Sequence, residues 1–485
     1  MSHRSSAGQG TDQTPAAAQC NAGRTLSSTY LHTLLGQFDA KVLSHRAAPY
    51  VIAAIALTAL IVPSVQFVVT IQKIDTSPFR EKGERHRTAL GRWLPTAGEL
   101  TEGDDGDNPY DYGHWFPTPP LVLLSLVPLY MAGYVAGGII WSVLKIGGLT
   151  LAACLVLREM RRQGTPVPLG VQLMTMVFGI RPIISDIQHG NLNIFMMIWL
   201  ALTWVFYLRG RDLWAGVFLA LAIVTKVTPA LALVYFAYKR EWRVVGWAFV
   251  GLVAVFLLIP GALLGFDTNL LYLSTWFDML VRPFAFQGYA TIEIANQSLF
   301  GTLSRLLSNA GILSIKHMST DEAMRAGMEH MARPATALGR LLRPALSIVT
   351  VGLLAWWCRR RGTRRSDPAR LLEFGLVLIA MLLLSERTWK HHLTTLPLIY
   401  LGIWYVLTCV PCSDRFRAWY VAGLSVQFVL LVVGDSAWGE YLGDNMLDAG
   451  LYCWGLLLCF FQTAILLRHT PSPEHVTRDE PRESR

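Results

Sequence analysis

Three short stretches of this 485-residue chain concentrate side chains that can bind ligands or move protons. The first runs Ser185-Asp186-Ile187-Gln188-His189-Gly190-Asn191-Leu192-Asn193 and leads straight into an apolar segment. The second, Ser385-Glu386-Arg387-Thr388-Trp389-Lys390-His391-His392, offers a carboxylate, three kinds of cation and an indole. The third, Thr225-Lys226-Val227-Thr228-Pro229, sets a lysine and a helix breaker in the middle of an oily run. Each chemistry is specific. Amides such as Asn191, Asn193, Asn296 and Gln297 supply both a donor and an acceptor, which suits sugar hydroxyls and also suits capping a broken helix. Imidazoles such as His391 and His392 serve as donor, base or phosphate partner, and His391 is a candidate for binding phosphate. An ammonium below a membrane surface calls for an anion, and phosphate is a natural one for Lys226. Arg387 and Lys390 suit a phosphate as well, and snorkelling to the interface accounts for them equally well.

The elements that must position these groups are membrane helices. The chain is 53% hydrophobic and only 15% charged, where a soluble chain carries roughly 25% charged residues. Apolar runs recur from residue 49 to 467, each long enough to cross or nearly cross about 30 Å of hydrocarbon. An all-α polytopic membrane protein of about twelve crossings follows. The net charge of +9 does not indicate nucleic acid. The basic residues (Arg158, Arg161, Arg162; Arg209, Arg211; Lys239, Arg240, Arg243; Arg359 to Arg361; Arg415, Arg417; Arg468) sit between apolar runs. That is the positive-inside pattern, and it assigns those loops to the cytoplasm.

By this parity residues 1–47 form a cytoplasmic, largely disordered leader, 48–468 the transmembrane domain and 469–485 a cytoplasmic disordered tail. No cleavable signal peptide is expected. Residues 72–118 form a first large outer loop, with six Lys/Arg against nine Asp/Glu, and 261–337 form a second outer region. The run 214–239 is too short to cross twice as straight helices at about 1.5 Å per residue. It reads as two short helices meeting near Lys226 inside the membrane, where broken helices are tolerated only if buried or lining a wet cavity. Asp75, the Asn108-Pro109-Tyr110 turn, the 185–193 turn, Asn296-Gln297 and the 385–392 stretch then share one side. They face one another, water and a ligand in an outer-leaflet chamber.

Four blocks carry a family resemblance: GDNPYDYGHWFPTPPLVLLSLVPL, IQHGNLNIFMMIWLALTWVFYLRGRDLWAGVFLALAIVTKVTPALALVYF, NQSLFGTLSRLL and SERTWKHHL. In this order they resemble glycosyltransferase family 87, whose known members are polyprenol-phosphate-mannose-dependent mannosyltransferases of the GT-C fold. Two departures stand out. The usual Gly-Gln-x-Asn is Gly190-Asn191-Leu192-Asn193 here, and the usual Ser-Pro ahead of Trp-x-His-His is Ser385-Glu386. The resemblance implies a GT-C helix bundle that moves a hexose, mannose by analogy, from a polyprenyl-phosphate sugar donor to a glycolipid or glycan acceptor hydroxyl at the outer face. It places the family's catalytic carboxylate at Asp75, ahead of the rivals Asp104, Asp105 and Asp107, and a second catalytic group at His392 beside His391. Transfer would be an inverting displacement with a carboxylate base. His189, with the four amides, would contact substrate; Tyr110 and Trp389 would stack on a sugar or belong to the aromatic belt.

The alternative is a transporter or flippase of a lipid-linked sugar, which needs the same chamber. Absence of a visible internal repeat disfavours it. No acidic cluster has metal-ligand spacing, so neither metal nor cofactor is expected. Cys409-Val-Pro-Cys412 lacks a second ligand pair and reads as reduced and structural. Membrane lipids are the remaining partners, and no oligomeric state is specified.

Overall fold

The computed structural model describes residues 48–75, 88–102, 108–110, 116–317, 331–360 and 364–470. The 1–47 leader, the 471–485 tail and the acidic run with Asp104, Asp105 and Asp107 lie outside them. The chain is a multi-pass helical membrane protein: among the described residues seven helices are long and apolar enough to cross a bilayer.

Helix α1 (Ala48–Asp75) precedes α2 (Ala89–Glu102), α3 (Pro120–Met131) and α4 (Tyr134–Arg162). Then come α5 (Leu169–His189) and α6 (Asn193–Leu208). The run read as a broken pair is indeed α7 (Asp212–Thr225) and α8 (Ala230–Tyr238). Lys226, extended at φ −158° and ψ 132°, ends α7. Pro229 lacks the N–H a continuing helix would use, so the break is built into the sequence. Helix α9 (Trp242–Val253) runs on through a π-helical turn to Leu264. Beyond it lie α10 (Phe266–Trp276), α11 (Leu299–Asn309), α12 (Leu342–Trp357) and α13 (Pro368–Leu384). Helices α14 (Leu396–Cys409), α15 (Asp414–Gln427), α16 (Gly439–Asp448) and α17 (Leu451–His469) complete the chain.

Helices α6, α13 and α14 are apolar and buried on nearly every side, so they form the bundle centre. By contrast α4 exposes Val143 and Leu144, and α12 exposes Ile348 and Val349. Outward-facing aliphatic rows of this kind belong against lipid tails.

Two parts of the outer regions depart from the sequence reading. The stretch expected as a polar first loop contains α2, whose Leu90, Trp93, Leu94 and Ala97 are buried. These positions follow helical spacing, which a net charge count over the whole stretch hides. The 261–337 region includes a small antiparallel sheet in the order β1 (Ala290–Thr291), β3 (Met331–Pro334), β2 (Ile315–His317). The all-α reading holds for the bundle, with this small sheet as an addition outside it.

The basic loops do more than orient the chain. Arg365 lies 2.5 Å from Asp212 and 2.6 Å from Glu241. Arg209 sits 2.8 Å from Glu159, and Lys239, nearly buried, 2.7 Å from Glu373. These pairs fasten the ends of the broken helices to α4 and α13, opposite the end that holds the polar turns. The described cysteines, Cys409 and Cys412 included, are free thiols.

The α5–α6 turn depends on Gly190, which caps α5 in the left-handed conformation at φ 64°. A Cβ there would also strike the Phe67 ring of α1. Left-handed backbone costs a non-glycine residue about 1–2 kcal/mol, and overpacking adds about 1–3 kcal/mol. Gly190→Ala should therefore lower the thermal unfolding midpoint of the purified protein markedly. An unchanged midpoint would refute the tight turn.

Candidate active site

A cavity of about 330 Å³ opens where the polar stretches converge. Arg92 and Trp93 of α2 and Pro117 to Pro119 form one wall. Asn191 to Asn193 and Thr225 to Thr228 bring the α5–α6 turn and the α7–α8 break into its floor. The 384–389 loop and His392 close the far side, with Arg343 of α12 beside them. An apolar flank is formed by Leu280, Val281, Phe284 and Ala285, which follow α10.

The structure thus gathers Lys226, Asn191, Asn193, Arg387, Trp389 and His392 around one space. At the His392 ring, Nδ1 lies 3.0 Å from the Arg387 carbonyl and 3.2 Å from the Trp389 N–H. Nδ1 is thereby engaged with loop backbone, and Nε2 is the nitrogen left for a ligand. The Trp389 ring lies nearly parallel to the His392 ring, with 5.9 Å between centroids. Its Nε1 donates to Glu293 at 3.1 Å. Arg387 donates to Thr291 Oγ1 at 2.9 Å and lies 3.6 Å from Glu386.

Other candidates lie elsewhere. Asn296 is completely buried and all its hydrogen-bonding capacity is used. It donates to the carbonyls of Thr291 (2.6 Å) and Glu386 (3.1 Å) and accepts from the N–H groups of Ser298 and Thr388, both at 3.0 Å. Gln297 donates to Ile294 and Leu447 carbonyls and accepts from the Tyr452 N–H. Asn296 holds the 385–389 loop and Gln297 ties the chain ahead of α11 to α16 and α17; neither lines the chamber. Tyr110 is buried between Phe116 and Tyr272, its hydroxyl donating to the Thr118 carbonyl at 2.9 Å; it braces the loop.

His391 is buried outside the cavity lining and stacks on His189 at 4.6 Å, while His189 Nδ1 lies 2.7 Å from the Ser185 carbonyl. Lys390 turns to Asp435 at 3.2 Å. Asp75 is the last residue of α1, and its side chain lies outside the described portion.

Sequence reasoning missed four participants. Arg92 and Arg343 line the cavity, as does the carboxylate Glu386. Lys145, wholly buried in α4, lies 2.7 Å from Asp186. A lone lysine inside the apolar run of α4 is itself a signal, because ionisable residues within a span are costly and need a partner. Arg92 could have been found from the helical spacing of α2. Among the described residues no group of three His, Cys, Asp or Glu side chains is arranged to hold a metal ion.

With this geometry in view, the comparisons with known proteins are decisive for kinship. The family model for glycosyltransferase family 87 matches residues 116–386, more than half the chain. The chain belongs to glycosyltransferase family 87. This family 87 protein is 26% identical over 263 residues to a polyprenol-phosphate-mannose-dependent alpha-(1-2)-phosphatidylinositol mannoside mannosyltransferase of Mycolicibacterium smegmatis. The match covers 53% of this chain and 50% of the relative, so the chain spans about half the length of that protein. Among solved structures, apo ArnT from Cupriavidus metallidurans covers 87% of the chain and is itself covered over 76%, at 14% identity and a TM-score of 0.32. That similarity is too loose to transfer residues.

Two predictions follow from the site's supports. Asn296→Asp keeps the shape but sets a carboxylate against two carbonyls, which should cost about 3 kcal/mol of stability; equal thermal unfolding of variant and parent at neutral pH would contradict the bracing role. At Asp435, burial alone raises the carboxyl, but the Tyr452 hydroxyl, Lys390 and Arg181 more than offset it and hold it below the usual range. Its stabilisation is present above the ordinary carboxylate pKa of about 4 and is lost as pH falls through the lowered value. Asp435→Asn should flatten the acid-side fall in melting midpoint.

Proposed function

We propose that this protein is a membrane glycosyltransferase of GT-C type that transfers a hexose, mannose by kinship, from a polyprenyl-phosphate sugar to an acceptor hydroxyl on the extracytoplasmic side. The reading is carried by the company Lys226 keeps: an intramembrane ammonium at a helix break, facing a chamber that also holds Arg387, Trp389 and His392. The apolar flank at Leu280, Val281 and Phe284 suits the first isoprene units of such a donor. Family membership supports the donor class, and the relative's printed name supports mannose and a phosphatidylinositol mannoside as acceptor type. Arg92 and Arg343, two further cations lining the chamber, favour an acceptor that is itself an anionic glycolipid over a neutral glycan. The basic loops at the opposite end support an outward-facing chamber by the positive-inside rule.

In the proposed reaction the acceptor oxygen attacks the anomeric carbon from the face opposite the phosphate. The bond from that carbon to the phosphate oxygen breaks, and its electron pair leaves with polyprenyl phosphate. A base takes the acceptor proton. Asp75, at the end of α1, is the proposed base, and His392 Nε2 binds or shuttles a proton. Lys226 and Arg387 stabilise the charge that grows on the departing phosphate. Asn191 and Trp389 contact the sugar. The scheme uses no metal.

Purified protein supplied with radiolabelled polyprenyl-phosphate mannose and extracted membrane lipids should yield a labelled lipid whether or not chelator is present. Asp75→Asn and His392→Ala should each lower transfer by about 100-fold or more, the usual scale for a general acid–base group. Full transfer by both variants would overturn the assignment. Cysteines engineered at 75 and 392 should react with an impermeant reagent from the same compartment; labelling from opposite compartments ends the shared-site model.

A further inference from the structure

Lys226 is joined to a buried chain of polar groups that the reaction itself does not use. Lys145 Nζ donates to Asp186 Oδ1 at 2.7 Å. The second oxygen of Asp186 accepts from the Asn193 side-chain amide at 3.0 Å and from the Asn193 backbone N–H at 3.2 Å. Asn193 Oδ1 in turn accepts from Lys226 Nζ at 3.3 Å. Lys145, Asp186 and Asn193 are all buried, and Lys226 lines the chamber.

The order of these groups has an electrostatic consequence. An ionised carboxylate only accepts hydrogen bonds, so Asp186 dictates which way the Asn193 amide turns. Its NH2 group must face Asp186, and its oxygen is thereby aimed at Lys226. The Asp186 charge is already matched by Lys145 at close range. Lys226 therefore receives an acceptor that fixes its position and contributes no negative charge. Among the described residues no carboxylate forms an ion pair with Lys226. Glu386, the nearest acidic member of the chamber wall, is engaged by Arg387.

We infer that Lys145, Asp186 and Asn193 form a positioning device that holds Lys226 by a neutral amide, so that its full positive charge is kept for a phosphate. This inference rests on the proposed donor reading and adds a reason why a lysine, an aspartate and an asparagine occur in this order. If Asp186 touched Lys226 directly, the two charges would cancel and an incoming phosphate would have to break an existing ion pair. With the amide interposed, Lys226 is oriented without a direct ion pair that an incoming phosphate would have to break. Lys145, which does not line the chamber, acts by satisfying Asp186.

The test exchanges two residues while conserving composition and net charge. In Asp186→Asn/Asn193→Asp the carboxylate moves one step along the chain and lies directly against Lys226. Polyprenyl phosphate binding, measured with the lipid itself in detergent, should weaken by about tenfold to a hundredfold, the scale of one charge-assisted hydrogen bond. Thermal unfolding monitors the fold. Should the double variant fail to fold, Lys145→Met/Asp186→Asn decides, because it removes the ion pair that orients Asn193 at no change of net charge and should weaken binding several-fold; unchanged binding in the folded variant refutes the device. Lys226→Met tests the underlying reading: if it binds polyprenyl phosphate as well as the parent does, the phosphate assignment falls and the device has no purpose. If Lys226→Met loses binding while the folded exchange variant keeps it, the assignment stands and the positioning device is refuted.

Discussion

A charge or an unpaired amide in hydrocarbon is so costly that each one must be matched, and this constraint organises the molecule. Inside the bundle the matching is done at short range by few partners. Lys145 meets Asp186, Asp186 meets Asn193, and Asn193 meets Lys226. The same rule at the opposite end pairs Arg365 with Asp212 and Glu241, and Lys239 with Glu373. Removing one member of a buried pair strands the other, which typically costs about 3–5 kcal/mol. The polar chains thereby fix the relative depth of helices whose apolar faces alone could slide.

The chamber is a by-product of the same economy of partners. A helix broken at Lys226 exposes backbone groups that hydrocarbon would not tolerate, so the break is lined by other polar segments. Those segments are rigid for separate reasons. Gly190 makes the α5–α6 turn tight, and the Asn296 side chain and the Gln297 backbone N–H tie the 385–389 loop to its surroundings. The shape of the chamber thus relies on residues that do not line it. A chamber whose walls are held by saturated amides presents its cations in fixed positions.

Much of the bundle was legible in the sequence. Hydropathy located the seven described helices that are long and apolar enough to span a bilayer, and the lysine followed by Pro229 located the break. The polar turns were legible as a group, because runs such as Ser185 to Asn193 are out of place in an oily chain. Less legible was the division of labour within each group. Asn191 and Asn296 look alike in sequence, yet one lines the chamber and the other is spent on backbone. His391 and His392 are adjacent, yet one stacks on His189 in the interior and the other faces the cavity. The amphipathic helix α2 went unread because its surrounding loop is strongly charged.

The sequence by itself determined the solvent of each segment, since transfer free energy adds residue by residue and needs no knowledge of neighbours. It therefore determined a helical membrane protein with polar segments grouped along an oily chain. Only the tertiary structure decided which polar atoms are already satisfied and which remain open to a ligand. That depends on distances of about 3 Å between residues far apart in the chain, such as Lys145 and Asp186 or Asn296 and Thr388. Pairing is a property of two positions at once, and a linear reading weighs them one at a time.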